Sequence, residues 1–234
     1  MKKKILITGG TGFIGYHLAK KCIRMGWDVT SLSKGKPNSI RKLKKVKYLI
    51  GDLTKKKDLN ILKKKFDYVV NAAGVVDHSS DKNVFKAHYL GCKNLANFFL
   101  KKKIKLFLQI GSCVEYGPQK SPQKEDFKSK IVNLKSMYSR GKFAATKYLI
   151  KLYKVYKFPV IVFRLYLNYG PNQDLNRFLP IIIDGCMKDK KFPCSSGIQY
   201  RSFTYIDDLV RAIIIALKKP QLSGNIFNIG NNKP

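Results

Sequence analysis

Apolar residues along this chain gather in short runs, separated by longer stretches in which they recur every three or four positions. The runs are Lys4–Thr8, Asp28–Leu32, Val46–Ile50, Tyr68–Asn71, Lys105–Ile110 and Val160–Arg164. Such a run, without polar alternation, predicts a strand covered on both faces. The intervening 3.6-residue periodicity predicts helices over 13–25, 55–64, 81–102 and 138–156. Strands alternating with helices at this spacing predict an α/β fold, a doubly wound parallel sheet with right-handed crossovers. After residue 165 the pattern changes. Tyr169-Gly170-Pro171-Asn172 reads as a turn. It precedes an expected helix near 175–188, a short strand pair near 192–205, a helix near 207–217 and a strand at 225–229.

The glycines carry the first chemical signal. The first strand runs directly into Gly9-Gly10-Thr11-Gly12-Phe13-Ile14-Gly15 and then into a periodic helix. Glycine suits this place because a Cβ would block approach of the backbone to a pyrophosphate, while the helix start offers free N–H groups and a partial positive charge. The strand–turn–helix context is what gives an otherwise weak pattern its meaning. The expected organisation is a Rossmann-type dinucleotide domain over 1–165 and a small lobe over 166–234, interleaved with the sheet.

Composition narrows the compartment more than the chemistry. The five cysteines are odd in number, scattered and without a CxxC pair, so neither a disulfide framework nor a metal cluster is indicated. The opening Met1-Lys2-Lys3-Lys4 is followed by too short an apolar stretch for a signal peptide. No run is long enough to span a membrane. A cytoplasmic protein is expected. The net charge is +33, yet 40 of the 47 basic residues are lysines spread in blocks along the whole chain. Nucleic-acid binding is marked by clustered, arginine-containing stripes with interleaved aromatics, so a nucleic-acid partner is not indicated. The charge favours anionic small molecules in general.

Thr8-Gly9-Gly10-Thr11-Gly12-Phe13-Ile14-Gly15 resembles the opening of the extended short-chain dehydrogenases/reductases, the nucleotide-sugar epimerases, dehydratases and reductases. The resemblance can be followed through nearly the whole chain. It implies that Gly9, Gly12, Phe13, Ile14 and Gly15 hold the pyrophosphate, and that Asp52 and Leu53 of Gly51-Asp52-Leu53 meet the adenine. It also implies that Ala72, Ala73 and Gly74 flank the ribose and pyrophosphate. Ser33 stands where NAD-preferring relatives carry Asp, and Lys34 follows it. A small hydroxyl beside a cation favours NADP over NAD.

Hydride transfer at a sugar carbon needs a group that exchanges a proton with the adjacent oxygen. A phenol does this poorly near neutrality unless a cation acidifies it, and Tyr-x-x-x-Lys on a helix places an ammonium one turn away. With 13 tyrosines and 40 lysines the spacing also arises by chance. It occurs at Tyr16/Lys20, Tyr89/Lys93, Tyr116/Lys120, Tyr138/Lys142 and Tyr153/Lys157. Only Tyr138/Lys142 opens a helix after the fifth strand, at the sheet edge where ligands bind. By resemblance, Ser112 of Ser112-Cys113-Val114-Glu115-Tyr116-Gly117 completes a catalytic set with Tyr138 and Lys142, and the latter two also contact the cofactor.

Departures from the family pattern bear on the substrate. Dehydratases carry Asp-Glu after the Ser/Thr; here those positions are Cys113-Val114, and Glu115 comes one place later. Leu167 occupies a usual Asn position beside Asn168. His88 replaces a common Asn, and Arg201 is kept while Ser202 replaces an Asp. Substrate-binding candidates are therefore His88, Ser112, Asn168 and Arg201. The family usually continues beyond residue 234, so a short or incomplete substrate lobe is expected. Together these features imply an NAD(P)-dependent enzyme acting on a nucleotide-activated sugar by 4-keto reduction or 4-epimerisation, with a homodimer possible. The alternative is a non-catalytic NADP-binding sensor or RNA-associated basic protein with a decayed substrate lobe.

Overall fold

The computed structural model describes residues 2–75, 81–126 and 130–231. Seven parallel strands form the central sheet: β1 (Lys4–Thr8), β2 (Asp28–Ser33), β3 (Val46–Ile50), β4 (Tyr68–Asn71), β5 (Leu106–Ser112), β6 (Val160–Leu165) and β9 (Ile226–Ile229). Their order is β3-β2-β1-β4-β5-β6-β9. The chain reverses its direction of travel across the sheet between β1 and β4, and such a reversal opens a crevice at the carboxyl ends of the strands. Every residue of β5 and β6 is buried, as expected for strands sandwiched between helices.

The period of two in the strands divides the core into two layers. Ile5, Ile7, Val70, Leu108 and Ile110 face α1 (Phe13–Arg24) and α6 (Ile206–Leu217). Leu6, Val69 and Phe107 face α3 (Gly91–Leu100) and α4 (Met137–Tyr156), where Leu95, Phe99 and Leu149 fill the space. A second, two-stranded sheet pairs β7 (Leu167–Tyr169) with β8 (Phe203–Tyr205) in parallel, and α5 (Phe178–Met187) lies between them in sequence. Residues 206–229 return to the main sheet through α6 and β9. Among the described residues no helix is long and apolar enough to cross a membrane.

Three expected elements differ. The segment 55–64 forms a 3-10 helix, Lys56–Ile61, because it buries only Leu59 and bends back so that Asp58 accepts a hydrogen bond from the Asp52 N–H at 2.9 Å. The expected helix over 81–102 is divided into α2 (Lys82–Phe85), a π-helical turn (Lys86–Leu90) and α3. The turn rotates His88 inward, where it is buried; π-turns of this kind often mark functional sites. Of the expected strand pair near 192–205, only β8 forms. Its partner is β7, far back in the sequence, while Pro193 and the positive φ of Gly197 (76°) lie in irregular chain.

Candidate active site

The glycine turn is built as its chemistry requires. A Cβ on Gly15 would stand 2.3 Å from the Gly9 carbonyl oxygen and 2.6 Å from the Gly10 Cα, so this glycine is what lets α1 close onto β1. Gly9 has φ +71° and lies against the backbone of Ala72 and Ala73, which ties the turn to the end of β4. Gly12 caps α1 without a side-chain hydrogen bond, and the first turn holds no acidic residue. The start of α1, with its positive dipole end, is therefore left without a capping side chain or an acidic residue of its own. Phe13 and Ile14 are half-buried and pack their side chains onto the core.

At the end of β2, Ser33 is buried and its hydroxyl has no hydrogen-bond partner among the described residues. Lys34 reaches across to Asp52, with Nζ 3.2 Å from Oδ2. Burial raises the Asp52 carboxyl, but hydrogen bonds from the Thr54 N–H and hydroxyl and the Lys34 ammonium outweigh it and hold the group below its usual range. Leu53 is buried under Gly91, where a Cβ would stand 3.2 Å from its own. Gly74 passes over the His88 ring, with φ +152° and room for no side chain. A crevice with free helix-start donors, an unpartnered hydroxyl beside a cation and a glycine turn fits a dinucleotide. Gly9, Gly12 and Gly15 would admit its pyrophosphate, Ser33 and Lys34 its adenosine ribose, and Asp52 its adenine.

The reacting groups sit where β5 meets α4. Ser136 caps α4, its hydroxyl accepting the Ser139 N–H at 3.1 Å, and so places Tyr138 in the first turn. Tyr138 is buried, and the Ser112 side chain at the end of β5 acts on its hydroxyl. Lys142, one turn on, is also buried; its Nζ donates to the Ile110 carbonyl at 2.7 Å and lies 5.8 Å from the Tyr138 ring centroid. The Ile110 carbonyl also accepts from the Gln109 amide at 2.9 Å. Gln109 in turn accepts from Asn71, which accepts the Thr8 hydroxyl. This buried chain of hydrogen bonds connects Lys142 to the strand that carries the glycine turn.

The electrostatics differ from the expected acidified phenol. Burial pushes the Tyr138 hydroxyl up to about 12, with Glu115 adding to it and the Ser112 hydrogen bond and Arg177 opposing it. Burial lowers Lys142 to about 8 against the opposing pull of Glu115. The ammonium points to a carbonyl rather than to the phenolic oxygen, so burial outweighs its influence on Tyr138. His88 packs edge-on against the Tyr138 ring at 4.9 Å, and its Nε2 lies 2.8 Å from the Val75 carbonyl oxygen. Burial and the Lys142 charge take His88 down to about 3, so it stays neutral.

Two residues that the sequence did not single out for a role stand at this site. Glu115 is fully buried and joined to Arg164. Arg177, at the start of α5, brings a cation close enough to bear on Tyr138. Its sequence signal is faint: it is one of seven arginines among 40 lysines. Cys113 is half-buried beside Ser112, and burial pushes its thiol up. Arg201 is exposed, within electrostatic range of Cys113. Asn168 lies in β7; its amide donates to the Tyr166 carbonyl at 2.8 Å, and its Oδ1 is buried without a partner. The expected substrate residues thus divide. The His88 ring touches Tyr138, Ser112 acts on its hydroxyl, Arg201 lies on the Cys113 side, and the Asn168 amide is held by the Tyr166 carbonyl just before its strand.

A parallel sheet of this order, with a glycine turn at β1 and a buried Tyr–Lys pair at the start of α4, defines a Rossmann-type dinucleotide-binding protein. The chain belongs to the NAD dependent epimerase/dehydratase family, whose model matches residues 5–230. It is 31% identical to a dTDP-D-glucose 4,6-dehydratase of Dictyostelium discoideum, over 98% of this chain and 58% of that protein's length. It is 30% identical to a UDP-N-acetyl-alpha-D-glucosaminuronate decarboxylase of Bacillus cytotoxicus, over 99% of this chain and 76% of the relative. The fold is shared with a UDP-glucose 4-epimerase of Thermotoga maritima solved with UDP-glucose, with TM-score 0.89 and 23% identity over 97% of this chain and 77% of the other.

Proposed function

We propose that this chain is an NAD(P)-dependent oxidoreductase or epimerase that acts at C4 of a nucleotide-activated hexose, by 4-keto reduction or by 4-epimerisation through a transient ketone. The observation that carries the reading is a buried Tyr138 in the first turn of α4 with a buried Lys142 one turn on, 5.8 Å from its ring and bonded to the Ile110 carbonyl of β5, the strand that ends in Ser112. When bound, the nicotinamide gives or takes the hydride. In reduction, Tyr138, which burial keeps protonated, passes its proton to the sugar O4 while Ser112 hydrogen-bonds the carbonyl oxygen. Lys142 anchors the geometry through the Ile110 carbonyl and is placed to hold the nicotinamide ribose. Arg177 and Arg201 supply cations for the substrate's pyrophosphate.

Two features favour this chemistry over 4,6-dehydration. Cys113 and Val114 offer no carboxyl for elimination of water. The carboxylate of the same turn, Glu115, is fully buried and both its oxygens are engaged. NADP is preferred to NAD because Ser33 leaves room and Lys34 offers a cation for a 2′-phosphate, although Lys34 is shared with Asp52. The test is incubation with NADPH or NADH and a panel of nucleotide-activated 4-keto sugars, following nicotinamide absorbance. Oxidation with at least one sugar, faster with NADPH, is expected. No oxidation on any of them, together with no conversion of UDP- or dTDP-hexoses to their 4-epimers, would overturn the reading.

A further inference from the structure

Glu115 and Arg164 form a buried ion pair beneath the reacting groups. Glu115 Oε1 accepts the Ser112 N–H at 2.9 Å, and Oε2 accepts from Arg164 Nε at 3.2 Å. The surroundings are shaped around the pair. A Cβ on Gly111 would lie 2.5 Å from Glu115 Oε1, and Gly111 is the register partner of Arg164 on β6. The Arg164 guanidinium stacks 4.4 Å from the Tyr116 ring centroid, and its Nη1 donates to the Glu125 carbonyl at 3.5 Å. A buried ion pair contributes little net stability compared with apolar residues of the same volume, so stability alone gives no reason for this one.

We infer that Glu115, held by Arg164, is a positioning residue for the Ser112–Tyr138–Lys142 set. It pins the Ser112 main chain at the end of β5 and supplies a fixed negative charge that favours the charged form of Lys142 and the protonated form of Tyr138. The inference rests on the proposed roles of those three residues. Glu115 acts on both titrating groups. The other groups facing Lys142 are Cys92 from α3 and His88 from the π-turn; those facing Tyr138 are Ser112, Cys113, His88 and Arg177.

The test follows lysine 13Cε signals by NMR through a pH titration of the full chain, with the Lys142 signal assigned by its loss in Lys142→Met. Glu115→Gln keeps the shape, removes the charge and is expected to lower the Lys142 midpoint by at least about half a pH unit. Should this variant fail to fold with an unpaired Arg164, Glu115→Gln with Arg164→Met removes both ions and should shift the midpoint the same way. An unmoved midpoint in a folded variant overturns the inference, whether or not the wild type turns over a sugar. A lowered midpoint supports it, and failure of the wild type on every nucleotide sugar would then overturn only the proposed activity.

Discussion

Lys142 is an ammonium held in the interior, and its removal should stabilise the fold. Burial takes the group from 10.5 to about 8, which at 1.36 kcal/mol per pH unit corresponds to about 3 kcal/mol against the charged form. Lys142→Met keeps the apolar stem and removes the charge. The Ile110 carbonyl loses one donor and keeps the Gln109 amide, so no orphaned acceptor offsets the gain. At about 2–4 °C per kcal/mol for a chain of this size, Tm at pH 7 should rise by roughly 6–12 °C. The pH dependence has a definite sign. The unfolded chain binds this proton more tightly than the folded one, so the penalty is fully present below pH 8 and fades as pH rises from 8 towards 10.5. Thermal unfolding of both proteins, followed by circular dichroism between pH 7 and 10.5, should show a gap that narrows with pH. A variant that is no more stable at pH 7, or a gap independent of pH, would refute a buried, charged Lys142.

Other residues give equally direct expectations. Gly15→Ala forces a methyl into the backbone of Gly9 and Gly10 and should weaken nucleotide binding at least about tenfold, with about 1–3 kcal/mol of destabilisation, measured by cofactor fluorescence titration and Tm. Ser33→Asp should favour NADH over NADPH by about tenfold relative to the wild type, because a carboxylate accepts from a ribose 2′-hydroxyl and repels a 2′-phosphate; an unchanged ratio of Kd values would disprove the placement. Arg41 bonds the Asn172 carbonyl through Nε and Nη2 and pairs with Asp174, tying the loop after β2 to the one leading into α5. Arg41→Ala should cost about 2 kcal/mol in urea unfolding and should raise the KM for sugar more than that for cofactor.

Much of this architecture is legible in the sequence because its signals are local. The short, mostly apolar runs mark six strands of the main sheet within two residues at each end, and the strand read at 225–229 is β9, the seventh. The glycine turn is legible because backbone sterics demand glycine there. What escaped is set by contacts between distant segments. The parallel pairing of β7 with β8 joins strands on either side of α5, and periodicity carries no information about such a partner. Nor does it reveal the π-turn that rotates His88 under Tyr138. The Tyr-x-x-x-Lys spacing is instructive: Tyr16/Lys20, Tyr89/Lys93 and Tyr153/Lys157 place ammonium and ring 5.7–5.9 Å apart, much like Tyr138/Lys142. Burial of both partners and the influence of Ser112 distinguish the fourth pair, and both arise from position in the sheet. Glu115 had a readable cue in Ser112-x-x-Glu115, the capping-box spacing that the 3-10 turn Cys113–Tyr116 uses, although its pairing with Arg164 required the fold.

Transfer of a labelled hydride reports on the reacting carbon and on Tyr138 together. NADPH carrying deuterium at the transferable C4 position would be incubated with a nucleotide-activated 4-keto hexose, and the sugar analysed by mass spectrometry for the wild type and Tyr138→Phe. One deuterium at the sugar C4 is expected with the wild type, and a rate at least about a hundredfold lower with Tyr138→Phe at unchanged NADPH affinity. Equal rates of label transfer by the two proteins would contradict that expectation.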